Sequence, residues 1–329
     1  MRLDWASLLN ILHSSERICL TSHIRPDCDA LGSELGLAGI LESVGKNVRV
    51  VNAQATPASL QWIDPNLKLE SLGQDVVASD LADRDLFIVL DTSAWAQLGD
   101  MGEVLKAHRD RVIVIDHHVS EDDICDRWFK DTAAEATARI VYEIGQRLRV
   151  SFTPEIATSI YSGLVTDTGG FRFPSVSGET FRIAARLVDS GASPPFIYRE
   201  LMEQDSLARL HLIGQTLLSA TTSHNGAVIT SLVRQADIQS AGALPSDTED
   251  LINLTLAVKD TLVAVILIEQ PDGKTKLSFR SRCHVDCSVL ASQFGGGGHK
   301  AAAGAITDGA FEDTLLKVSK AIDDVWQEQ

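Results

Sequence analysis

The stretch TSHIRPDCDALGS, from Thr21 to Ser33, decides how the first half of this chain folds. It begins within a short apolar run, Ile18–Ser22, that has no helical period, and such runs are typical of parallel strands buried on both faces. The polar residues that follow carry one imidazole and two carboxylates, on His23, Asp27 and Asp29. The sequence therefore predicts a buried strand with metal-ligating side chains just beyond its carboxyl end.

Three further segments show the same arrangement, in which carboxylates or imidazoles follow an apolar run. The other strands predicted in this half are Val48–Val51, Leu86–Leu90 and Val112–Ile115. The polar residues that follow apolar runs are Asp91, the triplet Asp116, His117 and His118, and Asp167 in SGLVTDTGG. Because the carboxyl ends of parallel strands open onto one crevice, we expect these side chains to lie close together, although they are distant in sequence.

Composition limits the class of protein. The chain has 329 residues, of which 44% are hydrophobic and 22% charged, enough for two globular domains with their own cores. Its five cysteines are odd in number and scattered, which argues against a disulfide framework and favours a cytoplasmic location. The opening MRLDWASLLNILHSS predicts an amphipathic helix rather than a signal peptide, and no apolar run approaches the length of a membrane span.

The formal net charge of −16 limits the partners. Proteins that follow long nucleic acids carry a basic stripe that neutralises many phosphates, and this sequence has only a few local arginines. Long duplex nucleic acid and membranes are therefore not expected as partners. Short oligonucleotides or small phosphorylated nucleotides fit the charge better.

The order of the predicted elements gives an α/β fold with two domains. Residues 1–190 alternate strands with helices, such as Ser33–Ser43 and Thr132–Leu148, which predicts a doubly wound, mostly parallel sheet. Residues 191–222 predict a connector helix that follows the break at Pro194-Pro195. Residues 223–329 predict a smaller α/β domain, and we expect the active-site cleft to lie between the two domains. Its predicted elements are strands Ala227–Val233, Leu262–Glu269 and Lys276–Ser281, a hairpin turn at Asp272-Gly273 and a final helix Phe311–Trp326.

The mixture of carboxylates and imidazoles in one site indicates bound metal. Carboxylates crowded together without cations would raise one another's pKa, so a cluster this acidic is stable only with positive charge nearby. Hard divalent ions take carboxylate oxygens, and imidazole shifts the preference toward Mn²⁺. Taken alone, each of these residues is more often a helix cap or an ordinary histidine. Their repetition at the ends of four predicted strands, of which SGLV before Asp167 is one, favours a two-metal hydrolase.

The motifs HIRPDCDALGS, LDTS, VIDHH and GLVTDTG resemble, in this order, those of the DHH phosphoesterase superfamily. SFRSR and GGGGHKAAAGA resemble the carboxyl-terminal DHHA1 domain of that superfamily. The compact layout is most similar to the nanoRNase (oligoribonuclease) and pAp phosphatase group. This resemblance implies a metal-dependent phosphodiesterase and phosphatase. Its substrates would be very short oligonucleotides, including dinucleotides such as pApA, which yield nucleoside 5′-monophosphates, and 3′-phosphoadenosine 5′-phosphate, which yields AMP.

The resemblance also implies a role for each residue of the site. Two divalent cations, Mn²⁺ with Mg²⁺ or Co²⁺ as alternatives, are expected. One is held by His23, Asp27 and Asp91, and the other by Asp29, Asp91, His117 and Asp167, so that Asp91 bridges them. The catalytic residues are His118, which faces the scissile phosphate, and Asp116, which orients the neighbouring imidazole. Hydrolysis then proceeds without a covalent enzyme intermediate.

The second domain is expected to bind the substrate. Consecutive glycines permit backbone conformations closed to other residues, so their amides can form a nest for an anion. Arg280 and Arg282 alternate on a predicted strand and would share one face. The complete predicted substrate-binding set is Arg280, Arg282, Gly296, Gly297, Gly298 and His299.

Several alternatives stay open at this stage. They are a cyclic-di-AMP or di-adenylate phosphodiesterase, an inorganic pyrophosphatase, and a nucleotide-binding regulator without catalytic activity. The sequence does not decide between RNA and DNA, the preferred base, the direction of attack or the relative activities on pAp and dinucleotides. It also leaves the oligomeric state open, with a homodimer as one option.

Overall fold

The computed structural model describes residues 3–119 and 122–327. The chain divides into two compact units, Met1–Gln204 and Asp205–Gln329. Among the described residues, no helix is both long enough and apolar enough to cross a membrane.

The first unit alternates strands with helices. Its strands are β1 (Arg17–Thr21), β2 (Asn47–Asn52), β3 (Leu69–Ser71), β4 (Leu86–Leu90), β5 (Val112–Asp116) and β6 (Trp128–Lys130). Its α-helices are α1 (Trp5–Ser14), α2 (Cys28–Ser43), α3 (Met101–Ala107), α4 (Thr137–Arg147), α5 (Pro154–Asp167), α6 (Gly178–Asp189) and α7 (Pro194–Met202). Short 3₁₀ helices cover Ala58–Ile63, Ala78–Leu81, Trp95–Gln97 and Arg109–Arg111.

The six strands form one parallel sheet in the order β3-β2-β1-β4-β5-β6. On one face, Ile18 and Leu20 of β1 pack into a core with α1, α2, α4 and α5. On the other face, Cys19 of β1 packs with α3 and its neighbours. The predicted doubly wound sheet is therefore confirmed, because its central strands are buried on both faces.

Glycines allow α2 and α5 to approach closely. A Cβ atom added at Gly32 would lie 2.3 Å from the backbone oxygen of Ser159, and one at Gly36 would lie 2.8 Å from Cγ1 of Ile160. Near the other end of α5, a Cβ atom at Gly163 would lie 2.6 Å from Oδ1 of Asp29. The two helices therefore pack antiparallel, and the first turn of α2 lies beside the last turns of α5.

The second unit contains a mixed sheet. Its strands are β7 (Thr221–Ser223), β8 (Val228–Val233), β9 (Val263–Glu269), β10 (Thr275–Ser281), β11 (Gly297–His299) and β12 (Ala302–Thr307). Its α-helices are α8 (Leu207–Leu218), α9 (Gln235–Ala241), α10 (Leu251–Leu256), α11 (Cys287–Ser292) and α12 (Phe311–Gln327), and 3₁₀ helices cover His224–Gly226 and Pro245–Thr248. The strand order is β11-β12-β10-β9-β8-β7, and β8 and β9 are parallel while the other pairs are antiparallel.

Two helical layers cover different parts of this sheet. Leu277 and Phe279 of β10 pack into a core with α11 and α12. On the opposite face, Ile266 and Ile268 of β9 pack with α8, α9 and α10. The predicted turn at Asp272-Gly273 joins β9 to β10, where the Gly273 N–H donates to the backbone oxygen of Gln270 at 3.0 Å.

The segment 191–222 differs from the single connector helix that the sequence predicted. Pro194 and Pro195 open α7 instead of breaking the chain, as proline favours the first turn of a helix. Ile197 of α7 packs in the core of the first unit, whereas Leu212 of α8 packs in the core of the second. Two helices form because each buries its apolar side against a different core.

Candidate metal centre

The polar residues of the first unit follow the strands β1, β4 and β5, which are neighbours in the sheet. His23 lies two residues after β1, Asp91 directly after β4, and the Asp116 triplet begins at the last residue of β5. Asp91 has a positive φ of 60°, and its N–H donates to the backbone oxygen of Ile115 at 3.2 Å. This left-handed conformation costs a non-glycine residue about 1–2 kcal/mol, so the sheet holds Asp91 against a local preference.

Asp91 lies between two histidines. Its Oδ2 is 3.5 Å from Nε2 of His23, and its Oδ1 is 3.6 Å from Nε2 of His117. The same His117 nitrogen lies 3.1 Å from Oδ2 of Asp167 and 4.0 Å from Oδ2 of Asp29. The structure thus brings together side chains that are up to 144 positions apart, from His23 to Asp167.

Asp29 is fully buried at the junction of two helices. Its Oδ2 accepts a hydrogen bond from the Thr137 N–H at 2.7 Å, and its Oδ1 accepts one from the Ala138 N–H at 2.9 Å. Ala136, the residue before α4, has no side chain that could cap that helix. Asp29 therefore caps α4 from α2, which fixes its carboxylate beside His117.

Asp27 illustrates that a residue can serve both as a cap and as a member of the site. Its Oδ1 accepts hydrogen bonds from the N–H groups of Asp29 at 2.9 Å and Ala30 at 3.1 Å, so it caps α2. This cap starts the helix at Cys28, five residues earlier than the predicted start at Ser33. Oδ1 of Asp27 is therefore a helix cap, which is the alternative role that the sequence left open. Asp27 also has a ligand atom within 4.8 Å of those of His23 and Asp91.

Asp116 is buried and holds His118. Its Oδ1 accepts from the His118 backbone N–H at 3.0 Å and lies 2.8 Å from Nδ1 of the His118 ring. Its Oδ2 accepts from Oγ of Ser93 and lies 3.3 Å from Nζ of Lys130. Burial alone would raise the pKa of Asp116, but the hydrogen bonds from His118 and Ser93 outweigh it and lower the pKa to about 2. Asp116 is therefore a fixed negative charge against one edge of the half-exposed His118 ring.

The electrostatics of the site favour the binding of cations. Burial, reinforced by Asp91 and Asp167, raises the pKa of Asp29 well above its usual value. Burial also raises the pKa of Asp91, with Asp27 adding to the effect. For His117, burial would lower the pKa, but the neighbouring carboxylates Asp167 and Asp29 outweigh it and raise the pKa to about 9. Carboxylates packed this densely are stabilised in their charged form by cations.

The donor atoms fit divalent metal ions. Three groups have ligand atoms that all lie within 4.8 Å of one another: His23, Asp27 and Asp91; Asp29, His117 and Asp167; and Asp91, His117 and His118. Nε2 of His117 is buried, and the nearest of the carboxylate oxygens around it is Oδ2 of Asp167 at 3.1 Å. A buried imidazole nitrogen that faces several carboxylates is a suitable ligand for a divalent ion.

Asp167 reaches the site from a different element than the sequence predicted. It is the last residue of helix α5, not the end of a strand. The run SGLV was misread because a helix buried on most sides presents a continuous apolar segment, which periodicity cannot distinguish from a strand. The prediction of a strand was wrong.

The six predicted substrate-binding residues all lie in the second unit, around β10, β11 and β12. Arg280 pairs with Ala302 of β12, which in turn pairs with His299 of β11. Directly paired residues share a face, so Arg280 and His299 lie on one face about 10 Å apart, two strand spacings. Arg282 follows the end of β10, and its N–H donates to the backbone oxygen of Leu262 at 2.8 Å.

The glycine run does not form the predicted open nest. The N–H groups of Gly295 and Gly296 donate to the backbone oxygens of Ser292 at 3.1 Å and Ala291 at 2.9 Å. Gly297 and Gly298 belong to strand β11. A Cβ atom at Gly296 would lie 2.1 Å from the backbone oxygen of Gly304. The glycines are needed here for close strand packing, and two of their amides are already used.

Sequence reasoning missed several residues that support the site. Thr137 donates from its hydroxyl to Oδ1 of Asp91 at 2.9 Å, in addition to its bond to Asp29. Nζ of Lys130 donates to Oγ of Ser93 at 2.8 Å. The LDTS motif contains Ser93, but nothing in the local pattern marks Thr137 or Lys130, because their partners come from other elements.

Comparison with known proteins identifies the family of the chain. The model of the DHH family, N-terminal domain, matches residues 17–164, and that of the DHHA1 domain matches residues 225–328. The chain is 31% identical over 315 residues to the bifunctional oligoribonuclease and PAP phosphatase NrnA of Thermus thermophilus, covering 93% of this chain and 90% of that protein. It is 25% identical over 336 residues to the cyclic-di-AMP phosphodiesterase GdpP of Geobacillus thermodenitrificans, covering 98% of this chain but 49% of that protein. It superposes on the crystal structure of an exopolyphosphatase-related protein from Bacteroides fragilis with a TM-score of 0.86 and 27% identity, covering 98% and 95% of the two chains.

The fold and the acidic site define a metal-dependent hydrolase that acts on phosphoester bonds. The chain belongs to the DHH family, with a DHHA1 domain in its second unit. The resemblance to the DHH/DHHA1 superfamily, and within it to the nanoRNase and pAp phosphatase group, is confirmed.

Proposed function

We propose that this protein hydrolyses very short oligoribonucleotides, dinucleotides such as pApA included, to nucleoside 5′-monophosphates, and 3′-phosphoadenosine 5′-phosphate to AMP. The observation that carries the proposal is the pair of ligand groups that meet at Asp91, one with His23 and Asp27 and one near His117. The similarity to the Thermus oligoribonuclease and PAP phosphatase supports the choice of substrates.

In this proposal, His23, Asp27 and Asp91 hold one divalent cation, and Asp29, Asp91, His117 and Asp167 hold the second. Bound divalent ions supply charge that offsets the developing charge on the phosphate and lower the pKa of water near neutrality. The combination of imidazole and carboxylate favours Mn²⁺ over Mg²⁺.

His118 acts on the substrate from the edge of the site. Asp116 accepts from the His118 backbone and ring, so the other ring nitrogen, Nε2, is the one that contacts the scissile phosphate in this proposal. Ser93 and Lys130 keep the Asp116 carboxylate in place through its Oδ2. Arg280, Arg282 and His299 bind the remaining phosphate of the substrate, with the backbone at Gly296, Gly297 and Gly298 beside them.

Cyclic di-adenylate is a second candidate substrate. It is favoured by the similarity to the cyclic-di-AMP phosphodiesterase GdpP, of which this chain spans about half the length. The predicted cytoplasmic location and the option of a homodimer stay predictions.

The test is to incubate the purified protein with Mn²⁺ and separately with pApA, a ladder of oligoribonucleotides, pAp, cyclic di-adenylate and pyrophosphate. Products are separated by chromatography. We expect nucleoside monophosphates from the shortest oligomers and AMP from pAp, with rates that fall steeply as the chain lengthens.

Three results of this experiment would contradict the proposed function. Equal rates on a dinucleotide and on a chain of a few tens of nucleotides would contradict the preference for short substrates. Phosphate released from pyrophosphate alone would replace the proposed function. Tight dinucleotide binding without any product, in protein shown to contain metal, would favour a regulator.

A further inference from the structure

A groove in the second unit runs along strand β10, away from the end that carries Arg280. Two adjoining cavities of about 270 and 290 Å³ share four lining residues, so they form one continuous depression. We call it the β10 groove and define it by Thr248, Glu249, Ile268, Lys276, Ser278 and Arg280.

One wall of the β10 groove presents two cations. Lys276, Ser278 and Arg280 occupy alternate positions of β10 and therefore share a face of the sheet. Four residues of extended strand separate the Cα atoms of Lys276 and Arg280 by about 14 Å along β10. Both side chains are long, so their charged ends can approach each other closely enough to contact adjacent phosphates of a single strand.

Neither cation has an acidic partner in the part of the chain that the structure describes. Within the described residues, neither Lys276 nor Arg280 forms an ion pair, and the Arg280 guanidinium donates only to the backbone oxygen of Phe279 at 3.2 Å. By contrast, Lys274, just before the strand, lies 3.6 Å from Asp308. In a chain with a net charge of −16, unpaired cations on one strand face indicate a place for an anion.

The remaining surfaces of the groove suit a nucleoside. Its apolar lining includes Ile266 and Ile268 of β9, which pair with Ser278 and Lys276 and therefore lie on the same face of the sheet. The opposite wall carries the carboxylates of Glu249 and Asp250, which can accept hydrogen bonds from ribose hydroxyls.

That opposite wall is anchored rather than loose. The Arg209 guanidinium donates to the backbone oxygens of Asp247 at 2.6 Å and Glu249 at 3.0 Å. The side chain of Asn253 donates to Oδ1 of Asp250 at 3.1 Å. The wall is therefore positioned before any ligand arrives, which lowers the entropic cost of binding.

We propose that the β10 groove binds the ribonucleotide that lies beyond the phosphate held at Arg280, with Lys276 contacting the next phosphate. This inference rests on the proposed function, and it adds a subsite that only trinucleotides and slightly longer oligoribonucleotides fill. pAp and dinucleotides end before Lys276. The groove thus raises affinity for substrates of three or four nucleotides without affecting the shortest ones.

The decisive variant is Lys276→Gln, compared with Lys276→Arg and with Lys320→Gln on α12. Lys320→Gln makes the same change of net charge at an exposed position of α12, outside the groove. For Lys276→Gln we expect a KM for a tri-adenylate that is about three to five times higher, the size of one partly exposed ionic contact. The kcat for tri-adenylate, and both kcat and KM for pAp, should stay unchanged.

Salt dependence provides a readout that a purely structural role would not change. Loss of one phosphate contact should reduce the slope of log affinity against log salt by about 0.7 for a single strand. The slope for the trinucleotide should therefore fall in Lys276→Gln and recover in Lys276→Arg. Lys320→Gln should match the wild type.

Other results would contradict the proposal that the β10 groove binds a ribonucleotide. If Lys276→Gln raised the KM equally for pAp and tri-adenylate, Lys276 would belong to the site that all substrates share or would stabilise the fold. If the KM changed for neither substrate, Lys276 would have no role in binding. If the wild type hydrolysed no nucleotide at all, the proposed function would fail. Binding of a fluorescent tri-adenylate would then test the proposed subsite independently of hydrolysis. Weaker binding to Lys276→Gln than to the wild type would support the subsite, whereas equal binding to both proteins, or binding to neither, would refute it.

Discussion

Glu34 is a fully buried carboxylate that the proposed chemistry does not use. It lies on α2, where its Oε2 accepts a hydrogen bond from Nδ2 of Asn52 at 2.9 Å. Its Oε1 is buried without a hydrogen-bond partner among the described residues. Burial raises the pKa of Glu34 to about 7, and the hydrogen bond from Asn52 offsets only part of that effect.

The sign of the resulting pH dependence follows from this raised pKa. The folded protein disfavours the charged form of Glu34, so its contribution to stability is fully present below the ordinary pKa of 4.5 and is lost as the pH rises through about 7. Each pKa unit corresponds to about 1.36 kcal/mol, so the loss approaches about 3 kcal/mol. Glu34→Gln keeps the acceptor for Asn52 but carries no charge. We expect the difference in unfolding free energy, Glu34→Gln minus wild type, to increase by about 2–3 kcal/mol between pH 5 and pH 8.

The assay is urea unfolding of metal-free protein, in the presence of a chelator, at four values between pH 5 and pH 8. Glu42→Gln is the matched control on the same helix, because Glu42 is half-exposed and pairs with Lys68. Loss of that pair should cost less than about 1 kcal/mol. The reasoning about Glu34 is refuted if the difference between Glu34→Gln and wild type is the same at all four pH values or falls as the pH rises.

Three further predictions concern the metal centre and the second sheet. Asp91→Ala should abolish turnover and lower the metal content measured by plasma mass spectrometry, whereas His118→Ala should abolish turnover with metal retained; a fully loaded Asp91→Ala protein would contradict the bridging role. Mn²⁺ added to chelated protein should raise the unfolding free energy more at pH 8 than at pH 6, because buried carboxylates with raised pKa values lose stability on ionising without a cation; an equal gain at both pH values would argue against these ligands. Gly296→Ala should destabilise the second unit by about 1–3 kcal/mol because its Cβ would meet the backbone oxygen of Gly304 at 2.1 Å. Gly297→Ala, which has no neighbour within 4 Å, is its control in thermal unfolding, and equal effects of the two would refute the packing argument.

The central strands of the first unit could be predicted within one residue at each end. Leu86–Leu90 and its neighbours are continuous apolar runs, and only a sheet covered on both faces buries such a run along its whole length. The sequence predicted no strand for Ala302–Thr307, because its first four residues are alanine and glycine and only Ile306 and Thr307 at its end favour strands. That strand forms because β10 and β11 pair with its two edges, which is a tertiary effect.

The sequence predicts which residues are candidate metal ligands, but it does not predict the contacts that hold them in place. Motifs single out residues such as His23 and Asp91, because imidazoles and carboxylates after apolar runs are visible in one dimension. The cap that Asp29 provides for α4 joins residues more than one hundred positions apart, and no local pattern encodes it. The glycine run was read as an anion nest because glycine permits many conformations, and only strand pairing selects the one that forms.

The close approach of α2 and α5 has a consequence for the size of ion that the site accepts. Asp29 lies in the first turn of α2 and Asp167 is the last residue of α5, so the spacing of the helix axes helps set the distance between their carboxylates. A glycine such as Gly32 holds that spacing at its minimum, because a single methyl group would already collide with Ser159. A descendant of this protein could therefore change its preference between smaller and larger cations by exchanging a residue on the helix contact, while every ligand stayed the same.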